Sequence, residues 1–163
     1  MRHIYFFFLI ALSTFMQCAP KEENSLKIFK YNQASGITSL DPAFAKNQAN
    51  IWAVSQLFNG LVQLDSTMNV APAIAKSWEF SNESKTITFI LRTDVKFHQK
   101  GVFEQATRFV TAADFVYSFN RIIDPKVASP GAWIFNGKID TIKPFVALND
   151  TTFQLNLQQA FGP

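Results

Sequence analysis

The chain has 163 residues, 48% of them hydrophobic and 17% charged, with a formal net charge of +3. That length suits one domain, and the apolar content supports a core and argues against disorder. The basic residues are scattered without the stripe or aromatic platform that nucleic acid requires, and the six glycines are too dispersed for a phosphate-binding loop.

Arg2 and His3 precede an apolar run from Ile4 to Leu12 that fades through Met16. As a helix, Ile4 to Met16 would span about 20 Å against a bilayer core of about 30 Å. A signal peptide over residues 1–17 therefore fits better than an uncleaved spanning anchor. Cys18 is the only cysteine, which excludes an internal disulfide and a cysteine metal cluster. Its place directly after the run reads as the lipid-bearing first residue of a bacterial lipoprotein. Phe15-Met16-Gln17 departs from the usual lipobox, which has Leu, then Ala or Ser, then Gly or Ala. Residues 18–24 would form the lipidated tether. Within it, Lys21-Glu22-Glu23 is either a solvated linker or a patch similar to the surface-export signal of some diderm lipoproteins.

Leu26, Ile28 and Lys30 alternate with Lys27, Phe29 and Tyr31 from Ser25 to Tyr31, as in a first strand with at least one buried face. Pro42 keeps Asp41 out of helical angles, so Ser39-Leu40-Asp41-Pro42 is a loop. Ile51, Val54, Ser55 and Phe58 recur at helical spacing before the Asn59-Gly60 stop, and Asn47 or Asn50 can cap that helix. Leu61 to Leu64 is a short strand ended by a turn at Asp65–Asn69. Pro72 suits the first position of a small helix through Ala75.

Ile87, Phe89 and Leu91 alternate with Thr86, Thr88 and Ile90, and Trp78–Phe80 precedes them across a polar loop. This is a hairpin with one buried face. His98 to Arg108 has no periodicity and is an extended loop. Thr111 and Asp114 make a capping box before a helix with the stripe Phe115, Val116, Phe119, Ile122 and Ile123. Tyr117 and Arg121 lie off that stripe. A closing hairpin runs from Ile139 to Leu148 and from Thr152 to Leu157. The fold class is α+β: short strands in hairpins with about three helices.

Chemistry-bearing residues are sparse. His98 is the only histidine beyond the signal segment, so no histidine metal pair is available, and as a base it has no evident partner. Asp41, Asp94, Asp114 and Asp124 occupy turn or cap positions where short polar side chains serve the backbone. No cofactor and no enzymatic activity are expected.

Several ordered motifs carry a resemblance. They begin with Ser39-Leu40-Asp41-Pro42, Leu57-Phe58-Asn59-Gly60-Leu61-Val62 and Pro72-Ala73-Ile74-Ala75-Lys76-Ser77-Trp78. Next come Ala75, Glu83, Thr86-Ile87, Phe89, Leu91-Arg92 and Asp94-Val95-Lys96-Phe97. Val110-Thr111-Ala112-Ala113-Asp114-Phe115-Val116-Tyr117-Ser118-Phe119 follows, continued by Arg121, Asp124-Pro125 and Ala128-Ser129-Pro130. Together these resemble the bacterial extracytoplasmic solute-binding proteins of family 5, the receptors of ABC importers for peptides, nickel and related solutes.

The resemblance implies a partial type II periplasmic-binding-protein fold over residues 25–163, with the second lobe beyond the chain. Family members are much longer, and the chain reads as an amino-terminal fragment. The resemblance also implies a peptide ligand, importer permease subunits as partners, and a periplasmic or cell-surface location through a lipid at Cys18. In peptide-binding members the ligand backbone pairs with a segment just after the S-L-D-P motif, which here is Lys46, Asn47 and Gln48. Residues after the Ser-Pro loop line the cleft in some members. Gly131 stands where a tyrosine occurs, and Trp133 is either a ligand contact or core. The His98–Arg108 loop is longer than in the common pattern. Two other readings are a surface lipoprotein acting as an adhesin, and a receptor for nickel or another small solute.

Overall fold

The computed structural model describes residues 30, 32–98 and 107–160. The signal segment, Cys18, the tether and, apart from Lys30, the first strand lie outside the described residues. The chain divides after Asn32 into two units, and every element below belongs to the second. That unit holds helices α1 (Gln48–Leu57) and α2 (Ala112–Ile123) and strands β1 (Val62–Leu64), β2 (Val70–Pro72), β3 (Ala75–Ser81), β4 (Thr86–Leu91), β5 (Phe145–Asn149) and β6 (Thr152–Asn156). Short 3-10 turns occupy Pro42–Phe44 and Ala132–Ile134. No helix among the described residues is long and apolar enough to cross a membrane.

The main sheet is antiparallel throughout, in the order β3-β4-β6-β5, and β1 and β2 form a separate ribbon. Alternation in β4 does what its sequence implies: Phe89 and Leu91 are buried and Ile87 is partly so. Phe89 stands opposite Phe153 on β6, with ring centroids 6.1 Å apart. The other face of β4 is also covered, because Thr88 is buried and its hydroxyl accepts from Gln154 Nε2 at 3.1 Å. Helix α2 lies across β5 and β6. It places Phe115 and Phe119 against Phe153, at 5.9 and 5.5 Å, and Phe119 against Phe145 at 5.3 Å. This phenylalanine cluster, with Leu61, Ile74, Ala75 and Leu91, is the core.

Several expectations are corrected. The small helix from Pro72 to Ala75 does not form: Pro72 ends β2, Ala73 and Ile74 make a bend, and Ala75 starts β3. The amides of Ala73 and Ala75 donate to the Leu61 carbonyl and that of Ile74 to Gly60, so their donors are used across the ribbon rather than along a helix. The stripe of α1 is not a buried face: Ala49 and Asn50 are buried, whereas Ile51 and Phe58 are exposed. Trp133 is 68% exposed and is not core. The closing hairpin is shorter than expected, with Ile139 reduced to an isolated bridge to Leu157. The flanks of the His98–Arg108 excursion pair with one another through a Lys96–Phe109 bridge, so the chain returns where it left.

The β3–β4 turn places Asn82, Glu83 and Ser84 at φ of 52, 54 and 62°. Three consecutive non-glycine residues in the left-handed region are costly, and the register of the two flanking strands holds them there.

Candidate functional site

The site expected around Lys46–Gln48 is built on a strap running from Thr38 to Asn50. Pro42 requires Asp41 to be extended, and it is, at φ −77° and ψ 120°. The freed carboxylate caps the 3-10 turn, accepting the Ala43 amide at 3.0 Å, while the Asp41 amide donates to Ser39 Oγ at 3.1 Å. Asn47 caps α1 by accepting the Asn50 amide on Oδ1 at 2.8 Å. Of the two candidate caps, Asn47 holds that place. Asn50 is instead buried, accepting the Thr38 amide and donating to Thr38 Oγ1, both at 3.0 Å.

Two ties then cross to distant chain. Arg121, in the last turn of α2, grips Asp41 bidentately, with Nη1–Oδ1 at 2.8 Å and Nη2–Oδ2 at 2.6 Å. Both side chains are about a third exposed. The bond from Arg121 holds the Asp41 carboxyl below the ordinary carboxylate range, aided by the Ala43 amide and opposed by burial. The buried Ser129 hydroxyl donates to the Ala43 carbonyl at 2.6 Å and accepts from the Gly131 amide at 3.2 Å. A single hydroxyl thus joins the strap to the Ser-Pro loop.

Lys46, Asn47 and Gln48 are exposed. The Asn47 acceptor is taken by the cap, while the Lys46 and Gln48 side chains make no hydrogen bond among the described residues. Trp133 stands on the 3-10 turn after the Ser-Pro loop, with the Lys138 ammonium 6.0 Å from its ring centroid. Gly131 has φ −80°, and a Cβ there would meet Ser129 Oγ at 3.5 Å and Ile122 Cγ2 at 3.9 Å, which is ordinary contact. The backbone therefore accepts a side chain at this position.

The aspartates do serve the backbone, but Asp41, Asp94 and Asp114 also each hold an arginine: Arg121, Arg92 and Arg108. Each arginine lowers its partner's pKa. Carboxylates held ionised in this way are poor proton carriers near neutrality and good structural ties. Among the described residues no group of three potential metal ligands occurs. His98 is exposed, with Nε2 3.4 Å from the Leu57 carbonyl. Arg121, Ser129, Thr38 and Asn50 escaped sequence reasoning as parts of this site. Arg121 gave a partial signal as a charge off the apolar stripe of its helix, but its partner lies 80 residues away.

The model of the bacterial extracellular solute-binding proteins, family 5, matches residues 69–163. Over 95 residues the chain is 40% identical to the periplasmic murein peptide-binding protein MppA of Escherichia coli, covering 58% of this chain and 16% of that protein. It is 32% identical over 146 residues to the probable deoxycholate-binding periplasmic protein YgiS of Escherichia coli, covering 82% and 26% respectively. Among solved structures, the ABC transporter-associated periplasmic binding protein DppA of Helicobacter pylori, in complex with the peptide STSA, aligns with a TM-score of 0.64 at 30% identity. That alignment covers 76% of this chain and 25% of that one. The chain spans about a sixth to a quarter of the length of these relatives.

Proposed function

Because the chain belongs to the bacterial extracellular solute-binding proteins of family 5 and carries part of the type II periplasmic-binding-protein fold, we propose that it supplies one wall of a peptide-binding site in an ABC importer's receptor. The observation that carries this reading is the strap. Lys46–Gln48 are exposed, and Ala43, three residues before them, is tied to the Ser-Pro loop by the Ser129 hydroxyl on its carbonyl. An exposed strap can pair with a ligand's backbone, which suits peptides of varied sequence because each such bond is independent of side chain. Trp133 offers an aromatic surface on the adjoining loop. The permease subunits of the importer would be the partners.

An amide-resolved NMR titration of the full chain with di- to pentapeptides at millimolar concentration tests this. Shifts are expected at Lys46–Gln48 and at the Trp133 indole, with little dependence on peptide sequence. No shift with any peptide, or shifts there with nickel or deoxycholate alone, would overturn the peptide assignment.

We further propose that residues 1–17 are a signal peptide, that Cys18 bears lipid and that residues 18–24 tether residues 25–163 on the extracytoplasmic side. The support is the apolar run ending just before the chain's one cysteine. Cells fed labelled palmitate are expected to label the wild-type chain and not Cys18→Ala; equal labelling of the two would refute the anchor.

A further inference from the structure

We propose that Arg121 and Ser129 are positioning residues for the ligand wall: together they set the placement of the Ala43–Gln48 backbone. This rests on the reading of Lys46–Gln48 as ligand-facing. Apolar burial in the strap and its helix is confined to two small side chains, Ala43 and Ala49. In α1 only Ala49 and Asn50 are buried, and Ile51, Trp52, Leu57 and the following Phe58 are 43–51% exposed. A helix of this length whose large apolar side chains are mostly exposed gains little from packing, so its polar ties weigh heavily in where it sits.

Among the described residues, the strap's side-chain ties fall at three points. Thr38 and Asn50 embrace one another within the strap, Arg121 grips Asp41, and Ser129 holds Ala43. The first closes the strap on itself and would travel with it. Among the described residues, the other two attach the strap itself to distant chain, both from α2 or the loop beyond it, while His98 Nε2 lies 3.4 Å from the Leu57 carbonyl at the far end of α1. Their geometry is demanding. The guanidinium fork meets both carboxylate oxygens at once, which a lysine ammonium cannot reproduce. The Ser129 hydroxyl is buried and engaged as donor and acceptor, so its loss leaves the Ala43 carbonyl without that partner. Arg121 also lies 5.9 Å from the ring centroid of Phe44, the strap residue directly after Ala43. Backbone pairing with a ligand needs donors and acceptors in register to a few tenths of an ångström, so placing this backbone would set affinity without touching ligand.

The test uses the full chain with Arg121→Lys, Ser129→Ala, Ser129→Thr, Asp41→Asn and the Asp41→Asn/Arg121→Lys double variant. Hydrogen exchange is read by NMR at Phe44–Gln48 and at β4 and β6, with tri-alanine titrated in parallel. Arg121→Lys and Ser129→Ala are expected to speed exchange at Phe44–Gln48 about fivefold or more, corresponding to about 1 kcal/mol of local stability. Exchange in β4 and β6 should not change, and the shifts induced by tri-alanine should fall at least about threefold. The double variant should lose no more than its worse single, and Ser129→Thr should recover most of the Ser129→Ala loss. Unchanged exchange at the strap, or unchanged tri-alanine shifts despite faster exchange, overturns the positioning role alone. If the wild type shows no shift with tri-alanine or any longer peptide, the reading of the wall fails and the positioning role fails with it.

Discussion

Replacing Phe153 with alanine is expected to lower the thermal midpoint of the unit by about 10 °C or more, and at 37 °C to leave much of it unfolded. Phe153 is fully buried on β6, between β4 and β5. Its ring meets Phe89, Phe115, Phe119 and Phe145 at centroid distances of 6.1, 5.9, 5.5 and 6.4 Å. Among the described ring pairs it alone joins Phe89 of β4 to the rings of the helix, so its removal opens a cavity between the two layers. Phe→Ala in such a site costs about 3–5 kcal/mol, against a total of about 5–15 kcal/mol for a small domain. Phe80 serves as the control. It lies on the edge strand β3, is 48% exposed, and Phe80→Ala is expected to move stability by about 0.5 kcal/mol at most. Circular dichroism melts of the two variants against wild type decide the matter. Equal effects would show that the phenylalanine cluster is not the stabilising core.

How far the sequence revealed this fold depends on how local the cause was. The β3–β4 hairpin, the α2 stripe and the closing hairpin were legible because alternation and 3.6-residue spacing report burial directly, and Phe89, Phe115 and Phe153 are buried where those periods place them. The Pro72–Ala75 segment misled because proline at a helix start and proline at a strand end look alike locally. The deciding facts are the carbonyls of Gly60 and Leu61, which reach these amides only once the ribbon has formed. The stripe of α1 misled for a different reason. Periodicity shows that a face could be buried, but whether anything lies against it is a tertiary fact, and Ile51 and Phe58 stay exposed. At the candidate site, the strap was found through a family motif and the ties were not. No spacing rule joins Asp41 to Arg121, or Ala43 to Ser129 across 86 residues.

Asp114→Ala is expected to cost about 2 kcal/mol at pH 7 and markedly less at pH 3, because the role of this residue depends on its charge. Asp114 sits in the first turn of α2, where its carboxylate accepts the Thr111 amide at 2.8 Å and the Thr111 hydroxyl at 3.1 Å. It also receives the Arg108 guanidinium at 2.8 and 2.5 Å. The cap accounts for most of the expected cost, about 0.5–2 kcal/mol. Arg108 is half exposed, so solvent screening limits the ion pair to about 1 kcal/mol or less. The bond from Arg108 is the largest influence lowering the Asp114 pKa, and the Thr111 amide and hydroxyl add to it against burial. A carboxyl whose folded pKa lies below its unfolded value contributes stability above the unfolded value, and that contribution fades as pH falls through it toward the folded one. The difference between wild type and Asp114→Ala in urea unfolding should therefore be full at pH 7 and shrink below about pH 4. Asp41, Asp65, Asp94 and Asp140 are lowered as well, so wild type itself weakens in acid, which is why the difference between the two proteins is the quantity to read. Asp114→Asn keeps an acceptor for Thr111 and loses the charge, and it should fall between them at pH 7. A cost for Asp114→Ala that is the same at pH 3 and pH 7 would mean that the carboxylate acts by packing, and that neither the cap nor Arg108 draws on its charge.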